Sequence, residues 1–305
     1  MYVSSLLSSR YHSSQLSLMS RTLSTMVTIC KNLSSTITLN DGKSMPMFGL
    51  GMYLSKSGSG GSAEKAVTHA LKNGYKLIDT AEFYGNESDV GRGIKASGLK
   101  REDYFVVTKV WTNGADVCRS AFTTSLEKLD IGYVDLYLIH SPGQGKIVET
   151  YKTMMDFQKQ GLVKSIGVSN FGVHHLEGMK AAGLPTPTVN QIELHPWMKK
   201  KDIVQYCQAN NITVMGYSPL VKGQRFNEPC LVEVAKRLGR TTAEVLIRYS
   251  VQMGYITIPK SEKPERISGN TSVFEWEIPQ SDMDVLNSFP ESSCTWNPCL
   301  FPWNG

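Results

Sequence analysis

From about Thr36 onward, short apolar runs rich in β-branched residues alternate with amphipathic stretches of about 10–15 residues, the pattern of strand and helix units feeding a parallel sheet. Eight such runs stand out: Met47 to Gly51, Lys76 to Asp79, Phe105 to Lys109, Val134 to His140, Ser165 to Ser169, Thr188 to Glu193, Thr213 to Tyr217 and Tyr255 to Pro259. Between them the spacing predicts helices such as Ala63 to Asn73, Ala115 to Leu129, Ile147 to Gln160 and Lys200 to Ala209, several closed by a glycine. Ahead of the first unit, Thr36 to Met45 carries Asn40-Asp41-Gly42 between two short strands and predicts a hairpin.

The ends of the runs choose between a closed barrel and an open sheet. Asp79, Lys109, His140, Ser169 with Asn170, Gln191 with Glu193, Tyr217, and Lys260 with Ser261 each close an apolar run with a group that is costly to bury alone. The first four lie 30, 31 and 29 residues apart, about one strand, one helix and two loops per step. Polar residues around the carboxyl ends of successive strands are the mark of a TIM barrel, whereas open sheets gather them at one switch point. The predicted fold is therefore α/β, a (β/α)8 TIM barrel with an N-terminal β-hairpin cap.

A length of 305 residues suits one barrel and excludes a disulfide-stapled miniature. Hydrophobic residues at 41% and charged residues at 19% read as an ordinary globular protein. The net charge of +5 is concentrated at the start: the first 40 residues hold Arg10, Arg21 and Lys31 and no acid, leaving 29 bases against 27 acids in the remainder. That near balance argues against a nucleic-acid partner, and no apolar run reaches the 18 or so residues of a membrane helix. The six cysteines, Cys30, Cys118, Cys207, Cys230, Cys294 and Cys299, form no CxxC pair and are expected to be mostly buried free thiols in a reducing compartment. Residues 1 to about 30 are rich in Ser, carry scattered Arg and lack acids, the composition of a mitochondrial transit peptide. We divide the chain into an extension, residues 1–33, expected to be disordered, and a barrel domain, residues 34–305. A cytoplasmic location is expected, with mitochondria the alternative if the extension acts as a targeting signal.

Several motifs carry nothing. Gly49-Leu50-Gly51 starts a GxG, but position 54 is leucine where the dinucleotide fingerprint needs glycine. Gly42-Lys43-Ser44 resembles the end of a P-loop, yet position 37 is isoleucine and no helix is expected to follow. Asn32, Asn86, Asn211 and Asn270 head glycosylation sequons without a secretory signal. His174 and His175 are adjacent on an expected helix, so they should diverge on a solvated face rather than share a metal.

The chemistry concentrates in Asp79, Tyr84, Lys109 and His140, which the second, third and fourth barrel strands would bring to one mouth. A tyrosine with a pKa of about 10 is a poor acid at neutral pH, but a neighbouring ammonium stabilises its phenolate. Lys109 can supply that ammonium, Asp79 can keep it charged, and His140 can orient a substrate oxygen. Only His140 and His195 are plausible metal ligands at this face, so no metal is expected. An acid with neither nucleophile nor metal needs a bound partner that moves hydride or electrons.

Taken in order, Gly49-Leu50-Gly51, LIDTAEFYGNE from Leu77 to Glu87, Val107-Thr108-Lys109, DLYLIH from Asp135 to His140, IGVSNF from Ile166 to Phe171, NQIELHP from Asn190 to Pro196, Tyr217 to Leu220 and Ile258 to Ser261 resemble the aldo-keto reductase superfamily. The resemblance spans about Thr36 to Asn297. It implies that Tyr84 donates a proton to the carbonyl of a small-molecule aldehyde or ketone, that Lys109 and Asp79 tune it, that His140 orients the substrate, and that hydride comes from NADPH. It also implies that Ser169, Asn170 and Gln191 hold the carboxamide of the cofactor and that Tyr217, followed by Ser218 and Leu220, stacks on its nicotinamide, with Asp79 bordering the same site. Lys260, Ser261 and Arg266 match the 2′-phosphate contacts, two cations and a hydroxyl suited to a dianion, and Asn270 matches an adenine contact. Arg266 would open a short helix near Glu265 to Asn270. Tyr53, Trp111, His140 and Trp296 are the expected substrate contacts, with the tail to Trp303 expected to cover the mouth.

Departures from the family pattern are Ser141 after the histidine and Tyr53 in the first strand loop, both where tryptophan is frequent in relatives, and Gly269 in place of an acid. The loops Ser141 to Lys146 and Val221 to Pro229 are short. The expectation is a monomeric NADP-dependent reductase of the alcohol dehydrogenase (NADP+) and aldose reductase kind. The alternative is a regulatory or binding subunit of the same fold that senses the cofactor with little turnover, and a metal hydrolase built on His140 and Asp79 ranks behind both.

Overall fold

Ten strands and ten α-helices make up the described part of the chain, residues 28–305 of a computed structural model. The expectation of a transit peptide therefore lies, up to residue 27, outside the described residues. Strands β1 (Thr36–Thr38) and β2 (Ser44–Pro46) pair antiparallel as the hairpin cap. The barrel strands are β3 (Gly49–Gly51), β4 (Leu77–Asp79), β5 (Phe105–Val110), β6 (Val134–Ile139), β7 (Val163–Ser169), β8 (Val189–Glu193), β9 (Thr213–Tyr217) and β10 (Ile256–Thr257), each hydrogen-bonded in parallel to the next. Two parallel bridges, Phe48 to Thr257 and Gly51 to Lys260, join the last strand to the first. The eight apolar runs are thus the eight barrel strands, as the sequence predicts. Around them lie α1 (Ser62–Lys72), α2 (Glu87–Ser97), α3 (Ala115–Leu129), α4 (Ile147–Lys159), α5 (Val173–Ala181), α6 (Lys201–Ala209), α7 (Pro229–Leu238), α8 (Thr242–Gln252), α9 (Pro264–Gly269) and α10 (Gln280–Asn287).

Side chains alternate between the two faces of a strand, so a barrel sorts each strand into an inward and an outward row. Leu77, Phe105, Val107, Leu136, Leu138, Val189, Met215, Ile256 and Ile258 fill the interior, and Leu39 and Met45 of the hairpin join that cluster. The outward rows pack under the helices in a larger cluster that includes Val106, Val110, Tyr137 and Ile139. A third cluster, built on Trp197, Val221, Leu231, Leu246 and Leu286, ties α7, α8 and α10 together.

The hairpin closes the amino-terminal mouth. Its turn is held by the Gly42 N–H on Leu39 O, with Gly42 at φ 82°. Asn40 donates from Nδ2 to the carbonyls of Pro187 and Asn211, and Ser165 donates to Asp41 Oδ2. Packing on the barrel begins ahead of the expected boundary at residue 34, because Cys30 is fully buried with Ile29 and Leu33 against the same core. Every described cysteine is a free thiol; Cys30, Cys118, Cys207 and Cys299 are buried, and Cys230 is exposed. Among the described residues no helix is long and apolar enough to cross a membrane.

The solvated face expected for His174 and His175 is half right. His174 is exposed and bonds Phe301 O, whereas His175 is fully buried and accepts the Gly172 N–H on Nδ1 at the start of α5. The two rings lie 3.9 Å apart rather than diverging. The C-terminal segment accounts for the burial, since it runs over this end of α5 with Trp303 against Gly178.

Gly167 sits in the inward row of β7, and an added Cβ would lie 2.6 Å from Val189 O and 2.9 Å from Leu138 Cδ2. Gly167→Ala should therefore lower unfolding stability by about 1–3 kcal/mol through overpacking. Urea denaturation measures this, and an unchanged midpoint would show that the β7–β8 contact opens freely.

Candidate active site

The inward rows end at the carboxyl mouth in polar groups. Leu77 is followed inward by Asp79, Val107 by Lys109, Leu138 by His140, Val189 by Gln191 and Met215 by Tyr217, a consequence of the two-residue period of a strand. Tyr84 comes from a 3-10 turn, Glu82–Tyr84, closed by Gly85 at φ 66°. Asn86 fixes this turn by accepting from Thr80 Oγ1 at 2.7 Å and donating to Met52 O at 2.8 Å.

Lys109 is the centre of the group. Its fully buried Nζ donates to Asp79 Oδ1 at 2.8 Å, Thr80 O at 2.7 Å and the Tyr84 hydroxyl at 3.3 Å. The other carboxylate oxygen, Asp79 Oδ2, accepts from Gln191 Nε2 at 2.7 Å. The His140 ring stands edge-on to Tyr84, 5.6 Å between centroids, and its buried Nδ1 has no partner.

Burial dominates the electrostatics. It pushes the Asp79 carboxyl up and the Lys109 ammonium down, while each charge opposes the shift of the other. Burial, with the Lys109 charge behind it, drives His140 well below the ordinary imidazole value, so the ring is neutral at neutral pH. For Tyr84 the expectation of an unusually acidic phenol is corrected: burial raises its pKa well above 10, and the Asp79 carboxylate adds to the rise. The ammonium expected to acidify it is present, but it shares its charge with Asp79. The site therefore holds the proton on the phenol.

Next to this group, Ser169 donates to Gln191 O, Asn170 donates from Nδ2 to His140 O and Ser169 Oγ, and the Tyr217 hydroxyl donates to Asn170 Oδ1 at 2.8 Å. The segment after Tyr217 is tightly coiled, with positive φ at Ser218, Val221, Lys222 and Gly223. Strained backbone of this kind concentrates at ligand sites. Leu220 is half-buried there. Lys260 and Ser261 follow β10, Arg266 lies on α9 and Asn270 follows that helix, with Ser261 buried and Arg266 exposed. The described residues show no hydrogen bond joining these four to Asp79, Tyr84, Lys109 or His140.

Aromatic rings form the rim. Tyr53 lies 5.1 Å from Tyr84, Trp111 lies 5.1 Å from His140, and Trp296 lies 5.8 Å from Trp111. Sequence reading missed Phe83, which is half-exposed and stacked on Trp111 at 4.1 Å. It also missed Glu82, which accepts the backbone N–H of Trp111 at 2.8 Å. The one available signal was their position beside Tyr84. The expectation that the tail covers the mouth as far as Trp303 is corrected: Trp296 is at the rim, but Trp303 packs on α5.

Glu193 is the other residue that acts unexpectedly. Fully buried, it accepts from His195 Nε2, from Ser293 Oγ, from the Cys294 N–H and from Thr295 Oγ1, clamping the tail beside Tyr217. Glu193, His195 and Cys294 place ligand atoms within 4.8 Å of one another, a cluster that the expectation of no metal overlooked. Since both carboxylate oxygens are already engaged by these donors, the arrangement works as a clamp.

The family model described as "Aldo/keto reductase family" matches residues 48–291. A glyoxal reductase of Bacillus subtilis is 42% identical over 259 residues, 84% of this chain and 93% of its own. An uncharacterized oxidoreductase of the same organism, YtbE, is 42% identical over 267 residues, 86% and 95% of the two chains. The crystal structure of a Bombyx mori aldo-keto reductase in complex with NADP is 34% identical with a TM-score of 0.76, covering 84% of this chain and 93% of that one.

Burial raises the Glu193 carboxyl, but the bonds from His195, Thr295, Cys294 and Ser293 outweigh it and hold the group well below its ordinary 4.5. The unfolded chain then binds the proton more readily, so the clamp contributes fully above that ordinary value and is lost as pH falls below it. Glu193→Gln should cost about 1.5–3 kcal/mol at pH 7, the worth of hydrogen bonds to a charged group, and should flatten the loss of stability as pH falls from 7 to 3. Urea unfolding at the two pH values is the test; parallel losses in the two proteins would count against the clamp.

Proposed function

The chain belongs to the aldo-keto reductase family, and from that premise we propose that it reduces aldehydes or ketones to alcohols with NADPH, Tyr84 acting as the general acid. The observation that carries this reading is the continuous chain from Gln191 through Asp79 and Lys109 to the Tyr84 hydroxyl. It leaves one phenolic proton facing a mouth lined by His140 and aromatic rings.

The residues suit the cofactor. Amide and hydroxyl groups of Ser169, Asn170 and Gln191 sit together beside the half-buried ring of Tyr217, a donor and acceptor set fit for a carboxamide next to a planar ring. Lys260, Ser261 and Arg266 offer two cations and a hydroxyl, the chemistry that a phosphate dianion requires. Bound NADPH would supply the hydride.

The protein's own part is the proton. His140, neutral at working pH, donates a hydrogen bond to the substrate oxygen and fixes its direction. Tyr84 then passes its proton to that oxygen as negative charge builds there. The phenolate left behind accepts the hydrogen bond from Lys109, which Asp79 and Thr80 O hold in place. A phenol with a raised pKa keeps its proton until the oxygen becomes more basic than it is, and the ammonium steadies it afterwards. Phe83, Trp111 and Trp296 give the substrate an apolar wall, so aromatic and aliphatic aldehydes, with glyoxal among them, are the substrates to try.

Purified protein should oxidise NADPH in the presence of such aldehydes. Tyr84→Phe should lower kcat by about 10²–10⁴, the range of general acid catalysis, and leave NADPH binding measured by fluorescence within about twofold of wild type. Undiminished turnover in that variant would remove Tyr84 from the mechanism.

A further inference from the structure

Among the side chains assigned to the 2′-phosphate stands one of the wrong sign. Glu262 follows Ser261, and its Oε1 lies 3.4 Å from Lys260 Nζ. The same oxygen accepts the backbone N–H of Lys56 at 2.9 Å, so the carboxylate also ties the Ser- and Gly-rich loop after Tyr53 to the end of β10. Burial pushes its pKa up, but the Lys56 N–H and the Lys260 ammonium hold the group below the ordinary carboxylate range, so it carries a full charge at neutral pH. Its side chain is 23% exposed and that of Lys260 36%, so solvent screens the pair in part. Lys263 and Glu265, the other charges on this turn, are both exposed and opposite in sign.

The effect of this carboxylate depends on the guest. A 2′-phosphate dianion drawn to Lys260 would meet an ammonium already paired with a carboxylate. A ribose 2′-hydroxyl, by contrast, can donate a hydrogen bond to a carboxylate, as it does to the acid of Rossmann sites that bind NAD. We infer that Glu262 is a specificity-determining residue that weakens the preference for the 2′-phosphate, so that the chain accepts NADH as well as NADPH. This rests on the carbonyl-reductase reading above and assigns to one residue the breadth of its cofactor choice.

Dissociation constants of NADPH and NADH, read from quenching of tryptophan fluorescence, test it on the whole chain. Glu262→Gln removes the charge and keeps an oxygen to accept the Lys56 N–H, so electrostatics is separated from loop anchoring. The ratio of NADPH to NADH affinity should rise about fivefold or more, the size expected for removing one partly screened charge beside a dianion. Lys260→Met should cost NADPH more affinity in the Glu262→Gln background than in wild type, because the lysine is then unshared. An affinity ratio that stays the same or falls in Glu262→Gln overturns the assignment. Failure of the wild-type chain to bind either dinucleotide overturns the reductase reading itself and this inference with it.

Discussion

Lys109 and Asp79 form an ion pair with essentially no exposure on either side chain. Taking two charges out of water costs several kcal/mol each, and apolar residues of the same volume often serve a core as well or better. The pair is therefore a poor device for stability and a good one for position. With Thr80 O and Gln191 using the remaining hydrogen-bonding capacity, the ammonium has one direction left, toward the phenol. Neighbouring parallel strands make this possible, because Asp79 pairs in register with Val107, the inward residue just before Lys109.

Much of this was legible in the chain. Alternation along a strand assigns Asp79, Lys109, His140, Gln191 and Tyr217 to inward rows once the runs are recognised, and one strand and helix unit per step, 22 to 31 residues, brings them to the same rim. What the pattern misjudged was degree. The first and last barrel strands are shorter than expected, because closure there runs through isolated bridges at Phe48 and Gly51 rather than through continuous ladders. The phenol is less acidic than the neighbouring amine suggested, since depth of burial and the carboxylate behind that amine are properties of the folded cup.

The parts that escaped sequence reading are meetings between loops. Glu193 finds Ser293, Cys294 and Thr295 across about 100 residues, Phe83 lies on Trp111 from the next unit, and Trp303 runs away from the rim to α5. No period in the sequence encodes these contacts. Burial of His175 has the same origin, as its neighbour is the far end of the chain.

The hairpin at the other end has a consequence for traffic. Leu39 and Met45 of the hairpin plug the floor of the barrel, and the rim of Tyr53, Phe83, Trp111 and Trp296 stands at the opposite end. A cofactor and a substrate that both entered by that rim would have to queue. Whichever lay deeper would arrive first and depart last, and its release would then bear on the pace of the cycle.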